Sequence, residues 1–160
     1  MKQPIVLYFS STGHTAAVAQ KLATAHDAIL VPVRPQTPYT AADRDWHDAT
    51  SRTSVESNDA TCRPAIQSID DQLLATADAI YLGAPLWWGQ MPRVVNTLLE
   101  AHNFHGKPVW TFCTSSSTPI HQAVRQLRTD YPTINWQSGQ RFTRRTTAVE
   151  VQRWLGDSDR

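Results

Sequence analysis

Ile5-Val6-Leu7-Tyr8-Phe9-Ser10-Ser11-Thr12-Gly13-His14-Thr15 is the stretch that decides the fold. An unbroken apolar run stops at a cluster of hydroxyls and a glycine. A short run closed by turn residues fits a strand buried on both faces. The period then changes: Ala17, Val18, Leu22 and Ala25, with the stem of Lys21, recur at helical intervals across His14 to Ala25. The same alternation continues outward. Ile29 to Val33 reads as a second strand. Ile69, Leu73, Leu74 and Ala77 mark a helix, and Ala79 to Leu82 a third strand. Val94, Val95, Leu98, Leu99 and Ala101 give a helix that ends at the turn Asn103-Phe104-His105-Gly106. Pro108 to Cys113 reads as a fourth strand, and Ile120, Val124 and Leu127 as a helix. Ile134 to Trp136 is a short fifth strand and Val149 to Leu155 a last helix. Alternation of this kind predicts βαβ units, hence an α/β fold with a doubly wound five-stranded parallel sheet and helices on both faces. Arg34 to Arg63 is polar, with Pro35, Pro38, Asp43, Asp45 and Asp48. It reads as an excursion with a helical turn or two near Ala41 to His47.

The 160 residues suit one domain over residues 1–160, and 41% hydrophobic residues suffice for a core. The net charge of +1 argues against nucleic acid as a partner. The N-terminal apolar run is too short for a signal or a membrane span, and no later segment reaches the length of a span. The expectation is a soluble cytoplasmic protein with no membrane partner. Cys62 and Cys113 exclude a disulfide scaffold and a four-cysteine zinc site, although one bridge between them stays open. Six tryptophans are the compositional oddity. Packing accounts for Trp46, Trp110, Trp136 and Trp154, whereas Trp87 and Trp88 share one loop.

Doubly wound sheets bind ligands beyond the carboxyl ends of their strands, so three loops matter. Ser10-Ser11-Thr12-Gly13-His14-Thr15 opens a helix, whose free N–H groups and dipole attract anions. Its hydroxyls add donors, so it can hold a phosphate with no Lys or Arg of its own. It is neither a P-loop nor G-x-G-x-x-G; the plainer reading is a helix cap. In Gly83-Ala84-Pro85-Leu86-Trp87-Trp88-Gly89, two adjacent indoles cannot both turn into a thin sheet's core. One should lie at the mouth of the site, ready to stack on a flat ligand, unless both pack on a neighbouring helix. Cys113-Thr114-Ser115-Ser116-Ser117-Thr118 offers small donors for the polar edge of a heterocycle, or again a helix cap.

A phosphate cradle, an aromatic plate and an edge-binding loop together suit flavin mononucleotide (FMN). At these residues the sequence resembles the flavodoxin family. It is most similar to a bacterial branch with Y-F-S-x-T-G-x-T in the first loop and Trp-Trp-Gly in the second. The matches are Tyr8 to Thr15, Leu82 to Gly89, Phe104-His105-Gly106-Lys107-Pro108 and Phe112-Cys113-Thr114-Ser115, in family order over about residues 3 to 155. The resemblance implies sheet order 2-1-3-4-5 and bound FMN. By position it implies that Ser10, Thr12, Gly13, His14 and Thr15 hold the phosphate. Pro85, Leu86, Trp87, Trp88 and Gly89 would line the isoalloxazine, and Thr114, Ser115 and Ser117 its pyrimidine edge. Two departures stand out. His14 replaces an Asn common in relatives, and Ser116-Ser117 replaces a frequent Gly-Gly, where a positive φ would strain serine.

The resemblance implies an electron carrier, with reductase or acceptor proteins as redox partners. A second reading is an FMN enzyme that reduces quinones with NAD(P)H. A third is an interaction module with weak or lost FMN binding. In each flavin reading the cofactor does the electron chemistry, and no catalytic side chain is assigned. Carriers tend to be acidic, but here residues 1–80 carry net −3 and residues 81–160 net +4. Arg141, Arg144 and Arg145 form a basic cluster that reads as a solvated face. Cys113 lacks the Arg of a phosphatase loop, since Pro119 stands there, and G-x-S-x-G is absent. His102 and His105 lack further ligands and read as a helix end and turn, not a metal site.

Overall fold

A computed structural model describes residues 3–158. The strands are β1 (Ile5–Tyr8), β2 (Ile29–Pro32), β3 (Ile80–Pro85), β4 (Pro108–Thr114) and β5 (Asn135–Phe142). They form one parallel sheet in the order β2-β1-β3-β4-β5. Leu7 stands opposite Val31 on one side and Leu82 on the other, which fixes the register of the centre. The helices are α1 (His14–His26), α2 (Arg52–Ser57), α3 (Asp71–Thr76), α4 (Arg93–Ala101), α5 (His121–Asp130) and α6 (Ala148–Ser158).

Side chains alternate along a strand, so each central strand feeds two cores. Ile5, Leu7, Ile80 and Leu82 face Leu74 of α3 and Val94 and Leu98 of α4. Val6, Tyr81 and Phe112 face Val18 and Leu22 of α1 and Val151, Trp154 and Leu155 of α6. Burial on both faces explains why these strands read as unbroken apolar runs. Each fully buried leucine, such as Leu22 or Leu98, contributes about 1.5–3 kcal/mol.

Two elements differ from the sequence reading. β5 extends to Phe142 instead of stopping at Trp136. It is an edge strand, paired only with β4, so Asn-Trp-Gln-Ser-Gly-Gln-Arg-Phe needs no apolar run. Side chains cover carbonyl oxygens along it: Arg128 Nη2 donates to Gln137 O (3.0 Å) and Gln140 Nε2 to Arg141 O (3.1 Å). The sheet bulges between Val109 and Thr111, where Gly139 is required: a Cβ there would lie 2.6 Å from Thr111 Oγ1.

The excursion's regular helix is α2, which the sequence reading did not place; residues 41–47 form turns, as expected, with Arg44 N donating to Thr40 O (3.2 Å). Ser51 caps α2, its side chain accepting from Ser54 N. Asp43, Asp45 and Asp48 accept from the nearby backbone N–H groups of Thr40, His47 and Thr50, and this favours turns over helix. Trp46, expected to pack, is 64% exposed and stacks on His47.

Cys62 and Cys113 are free thiols. No described helix is long and apolar enough to cross a membrane. No described group of three or more His, Cys, Asp or Glu is placed to hold a metal.

Candidate functional site

The loops after β1, β3 and β4 meet at the carboxyl end of the sheet. In the first, Gly13 adopts φ +94°, a conformation that L side chains resist. Ser10 Oγ accepts from Gly13 N (3.2 Å) and Ala16 N (3.1 Å), which draws the loop over the start of α1. The N–H groups of Thr12, His14 and Thr15 bond to no other described residue. They are the open donors of the helix N-terminus, where the dipole favours an anion. Thr15 Oγ1 lies 2.7 Å from Thr114 Oγ1, and both residues are buried. This bond ties the first loop to the loop after β4 beneath the site. One of the two hydroxyl hydrogens lies in the shared bond; the other remains available to donate.

After β3 the chain makes a tight hairpin. Trp87 N donates to Gln90 O (2.8 Å) and Gln90 N to Trp87 O (3.2 Å). Trp88 (φ +56°) and Gly89 (φ +76°) occupy its centre, the geometry of a type I′ turn. For a bulky residue such as Trp88 a positive φ is an outlier, and backbone strain of this kind concentrates at functional sites. The two indoles part here. Trp87 packs edge-on against Tyr39 (5.0 Å) and Phe9 (5.5 Å), while Trp88 is 51% exposed. Leu86 also packs against the core.

After β4, Ser115 N donates to Phe142 O (3.1 Å) and Arg141 Nη1 donates to Ser115 O (3.0 Å). Neither Ser116 nor Ser117 has a positive φ. The strain expected where serines replace Gly-Gly therefore does not arise. Burial pushes the Cys113 thiol up to about 12, so at neutral pH it is a packed thiol and not a nucleophile.

Thr12, His14, Pro85, Thr114, Ser115 and Ser116 line a cleft of about 490 Å³. Of the residues named from sequence, Ser10 and Gly13 instead line a second cleft of about 380 Å³ on the β2 side. Thr15 lies beneath the loops, Trp87 is turned inward, Trp88 and Gly89 form the hairpin tip, and Ser117 is exposed outside the cleft lining.

Thr143, Arg144 and Arg145 complete the larger cleft. The sequence marks the two arginines as part of a solvated face; they are exposed, and they also line the site. With the strand running to Phe142, they stand at its carboxyl end, where ligand loops belong. Tyr39 supports Trp87, and its hydroxyl donates to Glu56 Oε1 (2.5 Å). Arg44 Nη1 reaches Ser11 Oγ (3.1 Å) and brings a guanidinium to the first loop. No carboxylate lines the larger cleft. Its open N–H groups, hydroxyls and cations, with the exposed Trp88 on the hairpin that follows Pro85, fit a flat ligand that carries a phosphate.

The comparisons agree with this geometry. A family model described as flavodoxin matches residues 3–158. A protein described as a flavoprotein from Bacteroides uniformis ATCC 8492 is 42% identical, with 97% of this chain and 98% of that chain covered and a TM-score of 0.93. A second, from Bacteroides eggerthii DSM 20697, is 40% identical, with 98% of each chain covered and a TM-score of 0.92. A flavoprotein from Lactobacillus acidophilus NCFM, solved in complex with FMN, is 23% identical over 97% of this chain and 99% of that chain. Its TM-score of 0.68 shows a shared fold. No curated protein matches the sequence. Sheet order, first loop and a match over nearly the whole length agree: the chain belongs to the flavodoxin family.

Proposed function

We propose that this protein binds FMN non-covalently and carries electrons between a reductase and an acceptor protein. The observation that carries the reading is the larger cleft, where open N–H groups of the α1 N-terminus meet the loops after β3 and β4. The family and the FMN complex of the Lactobacillus acidophilus protein support it. Bound FMN would supply one- and two-electron redox chemistry.

The chain's own part is to bind, orient and tune. The N–H groups of Thr12, His14 and Thr15 and the Thr12 hydroxyl would take the phosphate oxygens. Pro85 and the exposed Trp88 would flank the ring, with the strained hairpin holding the indole ready. The Thr114 hydroxyl would donate to its polar edge, and Ser115 Oγ, whose own hydrogen goes to Thr118 O, would accept from it, with the loop fixed by the Thr15 bond below and the Arg141 clamp behind.

The absorbance spectrum of the purified protein, before and after FMN addition, tests the binding. Two flavin bands that shift on binding are expected. Protein that stays colourless and takes up no FMN would leave only the interaction-module reading. The net +4 of residues 81–160 favours a second reading, a NAD(P)H-dependent quinone reductase. Turnover with NADPH and a quinone alone would select it. Turnover only after adding a flavodoxin reductase would select the carrier.

A further inference from the structure

We propose that Arg144 and Arg145 are the anion-recognising wall of the flavin cleft, where they receive the 5′-phosphate of FMN and select phosphorylated flavin over riboflavin. The inference rests on the FMN reading above and adds to the site two charged residues that the first loop lacks.

Three observations carry it. First, both arginines line the same cleft as Thr12 and His14 at the start of α1. Second, their backbone is held in shape. Thr143 N donates to Thr146 Oγ1 (2.8 Å), Arg145 N to Thr143 Oγ1 (3.1 Å) and Thr146 N to Thr143 O (3.1 Å). α6 then packs on α1 through Val151 and Leu155 against Val18 and Leu22, which sets the turn's position relative to the first loop. Third, neither side chain has an ion pair or hydrogen bond among the described residues, whereas Arg141, three residues before Arg144, clamps Ser115 and Ser116.

Charge supplies the motive. Two neighbouring arginines share with the positive end of a helix a cleft that no carboxylate lines. The arrangement concentrates positive charge where an anion can enter. A phosphomonoester, with about −1.5 to −2 charges at neutral pH, matches two guanidiniums in sign and size. Arginine also presents a fork of donors suited to phosphate oxygens.

The test compares FMN and riboflavin binding to the wild type and to Arg144→Gln/Arg145→Gln, by quenching of flavin fluorescence at two salt concentrations. The double variant should lose FMN affinity about tenfold per arginine, on the scale of a charge-assisted hydrogen bond. Its riboflavin affinity should stay unchanged, and the salt dependence of FMN binding should shrink. Arg144→Lys/Arg145→Lys, which keeps the charge and loses the fork, should fall between the two. An equal loss for both flavins would make the arginines supports of the loop and overturn the proposal. Unchanged FMN binding would overturn it as well. If the wild type binds neither flavin, the FMN reading fails and takes the proposal with it; that case is distinct because it shows in the wild type alone.

Discussion

Two clefts flank the first loop, and arginine serves them differently. On the β2 side Arg34 lines the smaller cleft, but three other guanidiniums are bonded into the wall. Arg44 donates to Ser11 Oγ and Tyr39 O. Arg52 lies over the Tyr39 ring at 3.7 Å and pairs with Glu56 at 2.9 Å. Arg93, only 9% exposed, donates to Glu56 O and Ser57 O. On the β5 side Arg141 is a clamp, but the side chains of Arg144 and Arg145 have no bond among the described residues. The same side chain builds one wall and equips the other. A net charge of +1 conceals the division, which only the hydrogen bonds reveal.

Tyr39→Ala should be the most damaging change, because it removes the ring between Phe9, Trp87 and Arg52. A loss of about 3–5 kcal/mol is expected in urea unfolding, as for other large aromatic truncations. A loss near zero would mean that the excursion does not brace the core. Thr15→Val strands the buried Thr114 hydroxyl and should destabilise by about 1–3 kcal/mol. Adding Thr114→Val should then do less harm than the sum of the single changes, as a thermal double-mutant cycle would show.

Trp88→Asn sharpens the contrast between stability and binding. Asparagine suits the positive φ of the hairpin, so the apoprotein should gain about 1 kcal/mol. FMN affinity should fall about tenfold with the loss of stacking, measured by titration.

Alkaline pH probes the buried groups of both flanks. Burial raises the Cys113 thiol from 9.0 to about 12, and burial followed by the Glu56 hydrogen bond raises the Tyr39 hydroxyl. Above pH 9 the unfolded chain gives up the thiol proton first, so the native state binds more protons than the unfolded one. The thiol's stabilisation is therefore complete below pH 9 and is lost as pH rises toward 12. Tm should be flat with respect to this group up to pH 9 and decline beyond it. The smallest effect belongs to Arg144→Gln/Arg145→Gln, which should change stability by no more than about 0.5 kcal/mol, as surface changes do. A larger loss would show that these arginines are structural after all.

Much of this was legible in the sequence, for a physical reason. β1, β3 and β4 are covered on both sides by helices, so each had to be an apolar run. β5 gains hydrogen bonds from one neighbour and needs no such run, which is why its second half, and with it the place of Arg144 and Arg145 beside the site, does not show in the sequence. The first three loops could be located because each follows an apolar strand. Tyr39 could not, since a single aromatic among prolines, threonines and aspartates carries no period. Trp46 shows the reverse: a large apolar side chain that suggested packing lies on the surface.

The polar character of β5 has a consequence for how copies of the protein behave toward one another. An open sheet edge invites a strand from a second molecule, which is the route to aggregation. Here Arg128 and Gln140 already hydrogen-bond to carbonyl oxygens along the edge strand, and Gln137, Gln140 and Arg141 make its sequence a poor template for a dry interface. The residues that disguised β5 as something other than a strand are the ones that let the sheet end with it.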